Sequence, residues 1–295
     1  MIKYDELVKE FKSNLERLGY SRNSCYMLPS CVDEFLFFTG ETDITGIEQE
    51  HINKYHGYIQ QRPNKRRPGA LSEMMVYHHM YALRLFFNFL EQMQMIRANP
   101  MSNMAFSRPQ YKEREILTVD EINSLFDAAG NHMERAMLSV FYGCGLRRDE
   151  AVRLDVRDVH FKNGLMYIRE GKGGRRRVVP MTRKVIRLLR KYYLHQRPSN
   201  ADKEPFFINL AGHRTSGNRF NNMLKQLIKR AVKEGYLSSE ILHRQISLHS
   251  LRHSIASHLL ENGLSLEYVR DFLGHTCLET TQIYTRINKN QLLAL

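Results

Sequence analysis

Leu165-Met166-Tyr167-Ile168-Arg169-Glu170-Gly171-Lys172-Gly173-Gly174-Arg175-Arg176-Arg177-Val178-Val179-Pro180 is the stretch that decides the fold class. Two short, largely apolar runs, 165–168 and 177–180, flank a segment containing Gly171, Gly173 and Gly174. That pattern reads as two strands joined by a tight turn. A third short strand is expected at 156–159. Around this small sheet the apolar spacing is helical. Helices are expected at about 119–129, 132–143 and 148–154, and then at about 182–195, 217–234, 249–262, 266–273 and 279–285. Thr118-Val119-Asp120-Glu121 opens the first as a capping box, in which Thr118 and Glu121 satisfy the free amides of a helix start. The expected fold is mainly α with a small β-sheet.

Upstream, the chain reads as all-helical. Leu7, Phe11, Leu15 and Leu18 recur at helical spacing before Gly19, and a second apolar pattern runs from Met27 to Gly40. A third covers 47–59. A fourth, about 71–95, carries Tyr77, Met80, Tyr81, Phe86 and Phe89, whose spacing is that of a buried face. Between the last two lies the loop Arg62-Pro63-Asn64-Lys65-Arg66-Arg67-Pro68-Gly69, which fits either a solvated connection or one reaching a phosphate backbone. Asn99-Pro100 and Arg108-Pro109 break the helical pattern. The 295 residues therefore divide into about two domains, with expected boundaries 1–107, a linker 108–114, and 115–295.

Charge narrows the function. The chain has 44 Lys+Arg against 31 Asp+Glu, a net +13, and a pI near 9.6. Twelve basic residues, from Lys162 to Arg197, surround a single acid, Glu170. Charge focused in one stretch points to a polyanionic partner, nucleic acid being the commonest. Charged residues at 25% and apolar residues at 42% exclude a disordered chain, a fibre and a membrane bundle. Cys25, Cys31, Cys144 and Cys277 form no CxxC pair and no zinc spacing, the usage of a reduced cytoplasmic protein. Met1-Ile2-Lys3-Tyr4-Asp5-Glu6 has no signal-peptide character. There is no GxxxxGK[ST] and no GxGxxG. His249 and His253 have the i,i+4 spacing of metal ligands, but no third ligand or HExxH accompanies them. No cofactor and no metal are expected.

Three segments carry the chemistry: Gly143-Cys144-Gly145-Leu146-Arg147-Arg148-Asp149-Glu150, His249-Ser250-Leu251-Arg252-His253, and Leu273-Gly274-His275 followed by Tyr284. With Lys172 they supply two arginines, histidines, a lysine and a tyrosine. Arginine holds nonbridging phosphate oxygens bidentately. A hydroxyl nucleophile needs a base and a departing alkoxide needs an acid.

In the order Arg, Lys, His-x-x-Arg, His, Tyr, these segments resemble the tyrosine recombinase (phage integrase) family, most of all its Xer-like and short mobile-element members. The resemblance implies an all-helical, SAM-like core-DNA-binding domain followed by a mixed α/β catalytic domain. It implies that Tyr284 attacks the scissile phosphate to give a 3′-phosphotyrosyl link, and that Arg147 and Arg252 hold the nonbridging oxygens. Lys172 would protonate the leaving 5′ oxygen, His249 would act as base, and His275 would hydrogen-bond the phosphate. Glu150 and His253 would support these groups. Arg148, Arg175, Arg176 and Arg177, with Arg66 and Arg67 of the upstream loop, are candidate DNA contacts. The implied partners are duplex DNA with paired inverted half-sites and three further copies in a homotetramer. A related recombinase or an accessory DNA-bending protein is a further candidate partner. No membrane is implied, and the location would be cytoplasmic, on the nucleoid. The chain departs from the family at Cys144, where a small Thr or Ser often stands, and in the short tail after Tyr284, whose Leu292, Leu293 and Leu295 fit either a plug for a neighbouring copy or a frayed end. Type IB topoisomerases share the chemistry, and a catalytically silent DNA-binding relative would share the fold.

Overall fold

The computed structural model describes residues 4–41, 43–64, 68–110, 115–169, 176–198 and 204–274. The chain divides into two compact units, Met1–Lys112 and Glu113–Leu295.

The first unit contains four α-helices among its described residues, α1 (Tyr4–Arg17), α2 (Arg22–Thr39), α3 (Gln49–Gln61) and α4 (Glu73–Gln92). Its core forms where their apolar stripes meet: Phe11 and Leu15 of α1, Val32 and Phe35 of α2, Tyr55 and Ile59 of α3, and Phe86 and Phe87 of α4 are all buried. Phe11 meets Phe86 edge-on, with centroids 5.4 Å apart. Helix α2 starts five residues before Met27, where the apolar pattern begins. The Ser21 hydroxyl accepts from the Ser24 amide at 3.2 Å and nucleates the extra turn. Of the α4 aromatics, Phe86 and Phe89 are core, while Tyr77 and Tyr81 are half-buried. Arg66 and Arg67 lie outside the described residues.

The second unit places a three-stranded antiparallel sheet, order β1-β2-β3, among helices. In chain order these are α5 (Val119–Asp127), α6 (His132–Leu138), α7 (Arg148–Arg153), β1 (Val159–His160), β2 (Leu165–Ile168), β3 (Arg177–Pro180), α8 (Arg183–His195), α9 (Gly217–Lys233), α10 (Leu248–Glu261) and α11 (Leu266–Leu273). The capping box forms as expected. Thr118 Oγ1 accepts from the Glu121 amide, and Glu121 accepts from the Thr118 amide at 2.9 Å. Ile168 pairs with Arg177, so the two strands meet at the foot of the turn.

Three expectations need correction. The helix at 132–143 is α only to Leu138. Ser139–Gly143 forms a wider π turn of the kind that often marks a functional site. The strand expected at 156–159 is instead a 3₁₀ turn, Val156–Asp158, before the two-residue β1, because Asp158 and Asp155 cap that turn reciprocally. The basic stretch is not one surface. On α8, Arg183, Lys184, Arg187, Arg190 and Lys191 are exposed while Val185, Leu189 and Tyr192 are buried. Arg169 and Arg177 instead bond buried carboxylates, and Arg197 donates to the Pro205 carbonyl at 3.0 Å. Among the described residues, no helix is long and apolar enough to cross a membrane.

Candidate active site

The site is built around one buried carboxylate. The π turn ends in Cys144 and Gly145, and Gly145 adopts φ +58°, the left-handed region that glycine enters at least cost. A Cβ there would also sit 2.8 Å from Leu273 Cδ2. Replacing Gly145 by Ala is therefore expected to destabilise the second unit by about 2 kcal/mol, from backbone strain plus overpacking. Urea unfolding checks it, and an unchanged midpoint would refute the close approach.

From this turn the chain enters α7 with Arg147 as its N-cap. The Arg147 amide donates to Glu150 Oε2 at 2.8 Å, and its Nη1 donates to Oε1 at 2.9 Å. Arg177, at the start of β3, makes a fork to the same carboxylate, Nη1 to Oε1 at 2.7 Å and Nη2 to Oε2 at 2.8 Å. Arg252 of α10 lies 3.9 Å from Oε2. Glu150 is only 2% exposed in its side chain. Burial by itself raises its pKa. The two Arg177 bonds and charge, the Arg147 amide and the nearby Arg252 outweigh that and hold it at about 2.

The same three guanidiniums converge on the end of α11. Arg177 Nε donates to the Phe272 carbonyl at 3.1 Å, Arg252 Nη2 to Leu273 at 2.6 Å, and Arg147 Nη2 to Gly274 at 2.9 Å. These are helix-end carbonyls that would otherwise lack partners. Arg252 also donates to the Gly145 carbonyl. Three guanidiniums against one carboxylate leave a concentrated positive charge with Arg147 partly open, 19% exposed in its side chain. Such an arrangement suits a tetrahedral oxyanion.

Helix α10 is capped by Ser247, whose hydroxyl accepts from the Ser250 amide at 3.3 Å. His249 is exposed in its first turn, Arg252 and His253 are buried, and the two imidazole centroids stand 6.4 Å apart. The i,i+3 spacing of His249 and Arg252 places both on neighbouring positions of one helix face. Arg148 is surface-exposed, its stem against Gly217. Arg176 is exposed and lines a cavity of about 450 Å³ with Arg153, Arg169 and Arg214. Cys144 is fully buried, and burial pushes its thiol up to about 12 against the opposing pull of Arg177. Lys172, Arg175, His275 and Tyr284 lie outside the described residues.

Arg177, expected as a DNA contact, is held inside the site. Its side chain is 9% exposed and its donors bond Glu150 and Phe272, the placement of an internal strut. Sequence reading also missed a second cluster. Asp155 and Asp158, both buried, receive Arg169, and Asp155 receives Arg214 at 2.8 Å. It missed as well the buried His258, whose Nδ1 lies 2.9 Å from the Tyr142 hydroxyl. The Asp155-x-x-Asp158 spacing was the one available signal.

Comparison with known proteins identifies the family. The phage integrase family matches residues 115–291. The tyrosine recombinase XerD of Oceanobacillus iheyensis is 33% identical over 75% of this chain and 74% of its own. A tyrosine recombinase of Thermosipho africanus is 30% identical over 97% of this chain and 96% of its own. The solved structure of the Tn1549 transposon integrase in complex with circular intermediate DNA is similar with a TM-score of 0.73. It covers 96% of this chain and 95% of that one at 16% identity, a likeness of fold.

Proposed function

The chain belongs to the phage integrase family, and from that premise we propose how its residues divide the work of a tyrosine recombinase. The enzyme carries out site-specific DNA recombination. The substrate proposed is duplex DNA carrying paired inverted half-sites, bound by four copies. Family membership and the DNA-bound Tn1549 neighbour support the DNA. The N-terminal unit, with Arg66 and Arg67, is proposed to hold the flanking duplex, and Arg148, Arg175 and Arg176 the phosphates near the site.

The observation that carries the assignment is the convergence of Arg147 and Arg252 beside Glu150 and on the carbonyls just before His275. Arg147 and Arg252 bind the nonbridging oxygens of the scissile phosphate. The Tyr284 oxygen attacks phosphorus as its proton passes to His249. The bond to the 5′ oxygen breaks and that oxygen takes its proton from Lys172. His275 hydrogen-bonds the phosphate, and the buried His253 supports His249, whose ring centroid lies 6.4 Å away. A 5′-hydroxyl from the partner strand then attacks the phosphotyrosyl link, so bond energy is conserved. Each preorganised contact of this kind is worth about 10²–10³ in rate.

Nicked duplexes of random sequence, in which the cleaved 5′ fragment diffuses away, trap the covalent intermediate. The expected result is a tyrosyl-linked pool enriched in one inverted-repeat site. A protein that relaxes supercoils without selecting any sequence would instead support the topoisomerase reading.

A further inference from the structure

We propose that Tyr142 and His258 are positioning residues that set the spacing between Arg147 and Arg252, so that both guanidiniums meet one phosphate. The inference rests on the phosphate role proposed for those two arginines. Arg147 caps α7 and Arg252 lies on α10. Two guanidiniums from separate segments can share one tetrahedral group only if the segments keep a fixed separation. One link between them is made by Arg252 itself, which donates to the Gly145 carbonyl. Another lies away from the arginines. The Tyr142 hydroxyl, in the π turn, stands 2.9 Å from His258 Nδ1 on α10, across 116 positions of sequence.

This second link has the geometry of a brace. His258 comes six residues after Arg252, about 9 Å along the helix axis and about a third of a turn around it. Two contacts so placed resist both sliding and rotation of α10 against the π turn, which the Gly145 carbonyl alone would not. His258 is 4% exposed, and its ring meets that of Tyr142 edge-on, with centroids 5.8 Å apart. Burial lowers the His258 pKa and raises that of Tyr142 to about 12, so at pH 7 both groups are neutral and one hydrogen bond joins them. Losing either partner leaves the other buried and unsatisfied. The path from the brace to Arg147 is short and stiff. Gly145 is held at φ +58°, and Arg147 follows two residues later. At the other end α10 is tied to the start of the unit, where Ser254 Oγ accepts from the Leu117 amide at 2.8 Å. The brace therefore bears on a helix that is already fixed.

The test changes the phosphate as well as the protein. Three nicked duplexes carry the site recovered from the random-sequence experiment. One is ordinary DNA. In the other two a methyl group replaces one or the other nonbridging oxygen of the scissile phosphate. The methylphosphonate is uncharged and offers a single nonbridging oxygen, so it no longer needs two guanidiniums in register. Tyr142→Phe removes one oxygen and keeps the ring. It is expected to slow covalent-complex formation about 10-fold on ordinary DNA, with duplex affinity unchanged. That is less than the roughly 10²-fold cost of a displacement of about 1 Å, because Arg252 keeps its bond to Gly145. On at least one methylphosphonate Tyr142→Phe should match the parent on the same duplex. Equal slowing on all three duplexes would overturn the proposal and make the bond a part of the fold alone. An unchanged rate on ordinary DNA would overturn it as well. His258→Phe removes the bond from its other end, so the double variant should be no slower than the slower single one. Losses that multiply would mean two separate roles and no brace. Should His258→Phe fail to fold, Tyr142→Phe on the three duplexes carries the test alone. Arg147→Ala run alongside locates a failure, since it should lose much less on one methylphosphonate than on ordinary DNA. If it does and Tyr142→Phe does not, the positioning role is wrong. If Arg147→Ala gains nothing, the phosphate assignment falls and this proposal with it.

Discussion

Tyr284→Phe is expected to form no covalent protein–DNA product while binding duplex as the parent does. The substitution removes one oxygen and keeps the ring, so packing and charge are preserved. Loss of a nucleophile costs on the order of 10⁶ in rate, against about 10²–10³ for one preorganised charge contact such as Arg147. Two buried tyrosines of the second unit are poor alternatives, and an exposed one serves as a control. Tyr142 is tied to His258, and burial pushes its hydroxyl up to about 12, a poor source of phenolate. Tyr192 is buried and accepts from the Ile208 amide at 3.2 Å. Tyr268 on α11 is 73% exposed and is the natural control. On a labelled nicked duplex, Tyr268→Phe should give the parental yield of slow-migrating complex and Tyr284→Phe none. A persisting complex in Tyr284→Phe would move the nucleophile elsewhere.

The features legible in the sequence are those that local chemistry dictates. Thr118 and Glu121 satisfy each other's amides within one turn, so the start of α5 can be read from four residues. The strands 165–168 and 177–180 follow from glycine placement between two apolar runs, and the two pair antiparallel. The order of motifs identified the family without any contact being known. The features not legible depend on partners far along the chain. Arg175, Arg176 and Arg177 look alike in sequence, yet Arg177 points at Glu150, 27 positions away, and at Phe272, 95 positions away. No pattern within the basic run separates a strut from a surface charge, because burial decides it and burial is set by tertiary packing. The π turn before Gly145 is a similar case. Residues 132–143 keep an unbroken helical pattern, and nothing in that pattern marks the widening at Ser139–Gly143. Asp158 fell within an expected strand, whereas the two aspartates cap a 3₁₀ turn, and their role as anchors for Arg169 and Arg214 needed the fold.

Removing the charge of Glu150 should unfold the second unit more readily and change how its stability depends on pH. Glu150→Gln and Glu150→Ala each leave Arg147, Arg177 and Arg252 without their shared counter-ion. Breaking a buried ion network from one side costs about 3–5 kcal/mol. The carboxyl is held at about 2 in the folded protein, against 4.5 for an ordinary glutamate. Its folded pKa is depressed, so its contribution is fully present above the unfolded value and is lost as pH falls through the folded one. That contribution is about 3 kcal/mol, and it fades between about pH 4.5 and 2. At pH 7 the parent is therefore the more stable protein by several kcal/mol, and the two curves approach each other as the solution is acidified. Urea midpoints taken from pH 7 downward measure this directly, since carboxylates common to both proteins, such as Asp155, cancel in the difference. A gap that stays constant through pH 3 would mean that Glu150 is not held by the three arginines. Because glutamine offers one acceptor oxygen where the carboxylate offers two, Arg147 loses one of its two bonds to this side chain, and covalent-complex formation should also fall in Glu150→Gln by about 10²-fold, the scale set by misaligning one phosphate ligand. Stability and rate then fail together for one reason, which is that the carboxylate holding the end of α7 to β3 also aims the arginine at the phosphate.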